Sequence, residues 1–295
     1  MHSIIRIGSR DSALAVAQAE IIRSQIKKSC PRIQVELITM KTTGDKILDK
    51  SLDKIGGKGL FVKELDQALL DERIDLSVHS LKDMPMEVSK ELPILVYGKR
   101  EDPRDVMVFS PNQGEISKGG MIGTSSKRRM IQLRTLYPEA TFCGIRGNVQ
   151  TRLHKLETKG VDGIVLAAAG LNRLGLKGLS GRIFEVDEVV PAAGQGVLAI
   201  QGRRGENYSW LSSVNHEETA ICSRAERRFV AELDGGCTSP IAAYGSILGE
   251  ELKLTGLYYR GSDDTYYIES IVGDKMKAEK LGETLAISMG RKWGE

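Results

Sequence analysis

The sequence predicts an α/β fold of two lobes with mainly parallel mixed sheets, followed by a smaller α+β domain with a three-stranded antiparallel sheet. Three observations carry this. Over the first two thirds, short β-rich apolar runs alternate with helical patterns, as strands covered by helices do. Two breaks, Lys99-Arg100-Glu101-Asp102-Pro103-Arg104-Asp105 and Pro191-Ala192-Ala193-Gly194-Gln195-Gly196, let the chain leave a first lobe, build a second and return. After Asn215 the alternation stops, and a long charged helix precedes three strands and a last helix.

The elements follow in order. Ile4–Ile7 reads as a strand, Ala13–Lys27 as an amphipathic helix and Val35–Met40 as a second strand. Phe61–Asp71 is a helix and Asp75–His79 a buried strand. The second lobe reads as strands Val106–Phe109, Met121–Gly123, Thr141–Ile145 and Gly163–Ala167, with helices Lys127–Leu136 and Val149–Lys159 between them. Val197–Ile200 is the returning strand. Helix Glu217–Leu233 leads into strands Ile241–Leu248, Leu252–Tyr259 and Thr265–Ile271, and a helix over Lys275–Met289. The expected domains are therefore 1–98, 99–194, a return segment 195–215, and 216–295.

With 295 residues, the chain is long enough for two or three separate cores. Its 42 basic and 39 acidic residues nearly cancel, so no global field recruits nucleic acid or a membrane surface. Cysteines 30, 143, 222 and 237 show no CxxC spacing, and no zinc or iron–sulfur framework is expected. The N-terminus lacks an apolar signal region, and no stretch approaches a membrane span, so the expected setting is the reducing cytoplasm. No obvious apolar patch stands out, and a monomer is expected.

Four strand-to-helix junctions share one arrangement: Gly8-Ser9-Arg10-Asp11-Ser12, Gly123-Thr124-Ser125-Ser126-Lys127-Arg128-Arg129, Arg146-Gly147-Asn148 with Arg152, and Ala168-Ala169-Gly170-Leu171-Asn172-Arg173. Each sets backbone N–H groups, small polar residues and an arginine at the carboxyl end of a strand, where open α/β sheets bind ligands. A cation in a helix's first turn opposes the helix dipole unless an anion lies between them. Any one of these arginines reads well as solvated surface. Four together point to a ligand with several carboxylates or phosphates.

Three further segments carry chemistry. His79-Ser80-Leu81-Lys82-Asp83-Met84-Pro85 delivers Lys82 and Asp83 to a sheet edge, where Asp83 is either a turn-former or a catalytic carboxylate. Lys54-Ile55-Gly56-Gly57-Lys58-Gly59 lacks phosphate-loop spacing and reads as a basic lid or a plain surface loop. In Asp234-Gly235-Gly236-Cys237-Thr238-Ser239-Pro240, two glycines let something large approach the thiol. Cys237 is then an attachment point, or a small buried hydrophobe. A solute-binding protein would need an export signal and no such thiol, and a nucleotide enzyme would need a phosphate loop; both fit poorly.

Taken in order, these segments, with Ser12-Ala13-Leu14-Ala15 and Gln18, Gly59-Leu60-Phe61, Arg100-Glu101-Asp102-Pro103-Arg104-Asp105 and Ala192-Ala193-Gly194-Gln195-Gly196, resemble the porphobilinogen deaminase (hydroxymethylbilane synthase) family over essentially the whole chain. The resemblance implies two lobes similar to periplasmic binding proteins and a transferase that joins four porphobilinogen molecules head to tail. Ammonia is released at each step, and hydroxymethylbilane is then hydrolysed off. It implies a dipyrromethane cofactor, itself made from porphobilinogen, on a thioether to Cys237. Asp83 matches the catalytic carboxylate, which would protonate the leaving amine and stabilise the azafulvenium cation. The cofactor is expected on Lys82, Asp83, Thr124, Ser125, Ser126, Arg128, Arg129, Arg146, Gly147 and Arg152. The substrate is expected on Arg10, Ser12, Gln18, Lys54, Lys58, Arg146, Arg173 and Gln195. The one departure noted is Gln201-Gly202-Arg203, where some members have an acidic residue before the arginine.

Overall fold

Apolar side chains at Ile5 and Ile7 bury the first strand, β1 (Ile4–Arg10), which runs on to Arg10 rather than ending at Ile7. Ser12 then caps α1 (Ala13–Ser29), accepting from the Ala15 N–H, while Lys27 and Lys28 complement the dipole in the last turn. Ala19, Ile22 and Ile26 follow at helical spacing and pack on Ile5, Ile7, Val35, Leu76 and Val78. Next come β2 (Gln34–Met40), α2 (Thr43–Lys46), α3 (Lys63–Leu70), β3 (Leu76–Ser80) and β4 (Ile94–Tyr97). The computed structural model describes residues 4–46, 62–111, 113–233 and 240–294.

The next group is β5 (Asp105–Phe109), β6 (Met121–Gly123), α4 (Lys127–Leu136), β7 (Thr141–Cys143), α5 (Val149–Thr158), β8 (Gly163–Ala167), α6 (Ala168–Arg173) and β9 (Gly181–Ile183). The sheet order is β7-β6-β8-β5-β9, with β5 antiparallel to both of its neighbours. The returning strand β10 (Leu198–Gln201) completes the first sheet in the order β2-β1-β3-β10-β4, again antiparallel to both neighbours. Each sheet therefore has four strands in one direction and one crossing strand against them. The crossing strand is the first of its sheet in the second lobe and the last in the first lobe.

The chain divides into two units, Met1–Glu101 with Val197–Ala220, and Asp102–Gly196 with Ile221–Glu295. The second unit takes in most of α7 (Glu217–Glu232), then β11 (Ala242–Leu248), β12 (Glu251–Arg260), β13 (Thr265–Asp274) and α8 (Ala278–Trp293). These last strands form one antiparallel sheet in the order β11-β12-β13. Within that unit, Ala242 and Leu257 of the sheet pack on Ile131 and Val190. The fold class is the expected one: two mixed α/β lobes and an α+β C-terminal part.

Two strands had no counterpart in the sequence reading, β4 and β9, and each is short. Arg203, the arginine that follows the departure at Gln201-Gly202, has a structural use. Its Nη1 donates to the carbonyls of Leu69 (2.8 Å) and Ile74 (2.7 Å), closing the end of α3 and the turn after it. The Leu69 carbonyl also accepts from the Glu72 N–H at 3.1 Å, so the guanidinium adds to a helix end that the backbone already closes in part.

Candidate functional site

In the first unit, parallel pairing of Ile7 with Leu76 and of Gly8 with Ser77 brings the ends of β1 and β3 to one sheet edge. Arg10, Gln18, His79, Ser80 and Asp83 line a small polar cavity there, with Ala15, Val62 and Val78 as its apolar wall. Gln18, buried on α1, donates through Nε2 to Ser80 Oγ at 2.9 Å. Lys82 and Asp83 lie in the 3-10 turn Leu81–Asp83, which is closed by the Met84 N–H on the Leu81 carbonyl and ended by Pro85. No described residue hydrogen-bonds the Asp83 carboxylate. Ser12 spends its hydroxyl as the cap of α1.

His79 is buried, with Nε2 2.8 Å from Ser77 Oγ. Burial, reinforced by the Arg10 charge, brings its pKa down to about 4. The unfolded chain takes up this proton near pH 6.5 and the folded chain only near 4. Between those values the unfolded state binds more protons, so stability is full above the window and falls as pH drops through it, by up to about 3 kcal/mol. His79→Gln, which keeps a polar atom near Nε2, should lose that dependence. Urea unfolding of both proteins at pH 7.5 and pH 4 tests this; parallel losses would remove His79 as the cause.

The second unit gathers its junctions at one edge, since Gly123 is in register with both Cys143 and Ile164. Ser126 caps α4 and accepts from the Arg129 N–H; Ser125 Oγ donates to the Ile145 carbonyl, and Thr124 Oγ1 accepts from the Ser126 N–H. Arg128 and Arg129, in the first turn of α4, are both buried. Arg128 Nη2 is 2.8 Å from Asp105 Oδ2 and Arg129 Nη2 is 2.7 Å from Asp105 Oδ1. Burial alone would raise the Asp105 carboxyl, but the two guanidinium charges, with hydrogen bonds from Arg129 and Gln195, hold it well below the usual carboxylate range.

This corrects one step of the sequence argument. The cations at the α4 terminus are already met by a carboxylate of the protein. Asp105 went unassigned because it belongs to a charged segment read only as a crossing. The available signal was its place directly before the buried strand Val106–Phe109, since charges are almost never fully buried unless paired. Two guanidinium charges against one carboxylate still leave one positive charge, and Arg129 Nε is buried with no partner among the described residues.

Gly147 has φ +115°, and a Cβ there would meet the Thr151 side chain at 2.6 Å, so the Arg146-Gly147-Asn148 turn requires glycine. Asn148 caps α5, accepting from the Thr151 N–H at 2.8 Å. Arg152 Nε donates to the Gly147 carbonyl (2.8 Å) and Lys155 Nζ to the Arg146 carbonyl (3.0 Å), so both cations brace the turn. Lys155 was not anticipated. Arg173 donates to the Gly196 carbonyl, and buried Gln195 donates to Pro103 O (2.6 Å) and Asp105 Oδ1 (2.9 Å). Lys54, Lys58 and Cys237 lie outside the described residues. Cys222 is buried, Cys143 half-buried on the core of the second lobe, and Cys30 sits at the end of α1. Among the described residues no His, Cys, Asp or Glu cluster could hold a metal, and no helix is long and apolar enough to cross a membrane.

The two lobes are mixed α/β sheets with arginines and small polar residues at their strand ends, Arg10 in the first and Arg128, Arg129, Arg146 and Arg173 in the second. Comparison with known sequences gives the particular family. Residues 5–209 match the family model described as porphobilinogen deaminase, dipyromethane cofactor binding domain, and residues 220–291 match porphobilinogen deaminase, C-terminal domain. The porphobilinogen deaminase of Ruminiclostridium josui is 54% identical over 285 residues, covering 97% of each chain. That of Acetivibrio thermocellus is 53% identical over 285 residues, again covering 97% of each. The chain belongs to the porphobilinogen deaminase family.

Proposed function

We propose that this chain is a transferase that condenses four porphobilinogen molecules head to tail on a covalent dipyrromethane, releases ammonia at each step, and frees hydroxymethylbilane by hydrolysis. The observation that carries the reading is the pair of family matches, which together run from residue 5 to residue 291 with a ten-residue interval. The geometry is consistent with it. Each pyrrole carries an acetate and a propionate, and both lobes offer guanidinium groups at strand ends. The near balance of 42 basic and 39 acidic residues favours a small-molecule partner over nucleic acid or membrane, and we place the enzyme in the cytoplasm as a monomer.

The residues fit the cofactor, because the Asp105–Arg128–Arg129 cluster keeps one positive charge and a buried N–H with no partner among the described residues. Arg128, Arg129, Arg146 and Arg152 would hold its carboxylates, with Lys82, Asp83, Thr124, Ser125, Ser126 and Gly147 around it and Cys237 as the point of attachment. When bound, it supplies the nucleophilic pyrrole carbon to which substrate is joined. Arg10, Arg146 and Arg173 orient the incoming ring through its carboxylates, with Ser12, Gln18, Gln195, Lys54 and Lys58 as further contacts. Asp83, half-buried beside Arg10 in the first unit's cavity, delivers a proton to the departing amine. Its carboxylate then faces the positive charge left on the substrate.

Intact mass is the direct test. The purified chain should exceed its sequence mass by two linked pyrroles, and added porphobilinogen should release ammonia and a linear tetrapyrrole in a ratio of about four to one. A bare mass with no ammonia would end the reading. Arg128→Leu, Arg129→Leu and Arg152→Leu should yield cofactor-free protein, whereas Arg10→Leu, Arg146→Leu and Arg173→Leu should stall at partial chains. Each lost charged hydrogen bond should cost roughly tenfold to a hundredfold in binding. Full cofactor in all six with uniform loss of turnover would refute the division.

A further inference from the structure

Asp105 opens β5 and is fully buried. Its two oxygens divide between two arginines adjacent in sequence, Oδ2 to Arg128 and Oδ1 to Arg129, and Gln195 Nε2 adds a third donor on Oδ1 at 2.9 Å. The far arm of each guanidinium is tied as well. Arg128 Nη1 donates to the Val190 carbonyl at 2.7 Å, and Arg129 Nη1 to the Val165 carbonyl at 2.8 Å. A planar fork held at both ends has its plane fixed, and the unpaired edge of Arg129, its Nε, is thereby aimed in one direction.

We propose that Asp105 is a positioning residue for the cofactor site: it fixes the planes of Arg128 and Arg129 and leaves the pair one net positive charge with which to take a carboxylate. The proposal rests on the reading of those arginines as cofactor ligands. Without Asp105 the two like charges sit side by side on α4, repel, and can turn toward water. The arginines would remain in the chain but would no longer be set for a pyrrole side chain. A buried carboxylate that merely stabilised the lobe would leave cofactor loading untouched in whatever protein folds.

The test is intact mass with thermal melting on the full chain, before and after incubation with porphobilinogen. Asp105→Asn should melt cooperatively, yet carry two pyrroles in at least tenfold fewer molecules than wild type, the loss expected for one displaced charged hydrogen bond. Asp105→Glu keeps the charge but moves it by one methylene, and should load more slowly than wild type and better than Asn. Glu226 gives the structural control. Its carboxylate accepts from the Gly194 and Gly245 N–H groups, both at 2.8 Å, and is given no part in binding cofactor. Glu226→Gln should lower the melting temperature with loading complete. If Asp105→Asn fails to fold, the Glu variant decides, with slow loading supporting the proposal and full wild-type loading overturning it. Full loading of a folded Asn variant also overturns it. Arg128→Leu and Arg129→Leu run alongside: if both keep two pyrroles, the underlying assignment of the arginines is what has failed.

Discussion

Asp83→Asn is expected to melt like wild type, keep its covalent cofactor and lose three or more orders of magnitude in turnover. The substitution preserves size and hydrogen-bonding capacity while deleting the charge and the exchangeable proton. If Asp83 served only as a turn-former, Asn would replace it with little loss, since both residues favour turns. The structure weakens that alternative. The turn Leu81–Asp83 is closed by the Met84 N–H on the Leu81 carbonyl, and no described residue hydrogen-bonds the Asp83 carboxylate. Stabilising a developing cation in a site lined by Val62, Val78 and Ala15 should contribute several kcal/mol, at about 1.4 kcal/mol per tenfold. Asp83→Glu keeps the charge and should retain a measurable fraction of activity. Single-turnover kinetics decide; an Asn variant within tenfold of wild type would remove Asp83 from the mechanism.

Local chemistry was legible where a single segment carries its own cause. The caps at Ser12, Ser126 and Asn148 stand where the sequence placed strand-to-helix junctions, because capping is settled within four residues. The apolar runs gave the buried strands, but not the direction of β5 and β10, since an apolar run reads alike in either direction. Pairing direction is set by where the chain has been, and only the two crossings hinted at it. The sequence set the arginines at strand ends, where the structure also has them, but gave no sign of the carboxylate that Arg128 and Arg129 share. Arg-Glu-Asp-Pro-Arg-Asp looks like a solvated run, and part of it is: Arg104 pairs with Asp102 and Glu185 on the outside. Asp105 alone turns inward, toward arginines 23 and 24 residues away. No local pattern encodes that contact. Arg203 shows the same limit, because the carbonyls it serves belong to a helix end and the turn after it, more than a hundred residues earlier.

Cys237→Ser is expected to abolish covalent cofactor retention altogether. Residues 234–239 lie outside the described residues, and the chemistry of the side chain sets the expectation. A serine hydroxyl is a far poorer nucleophile than a thiol near neutral pH, because only the thiol reaches an appreciable anionic fraction there. The two residues before Cys237 in the sequence are glycines, which carry no side chain. The other thiols are differently placed. Cys222 is buried, burial raises the pKa of Cys143, and Cys30 donates toward the Trp210 carbonyl. Each should be replaceable by Ala or Ser with turnover largely intact. Denatured wild-type protein should react with an acidic aldehyde reagent for pyrroles, and the Cys237→Ser variant should not. Because the arginines remain in place, the variant should still bind pyrroles without a covalent link, so denaturation before the assay is essential to the contrast. A pyrrole-modified Cys237→Ser protein, linked through Cys30, Cys143 or Cys222, would refute the assignment.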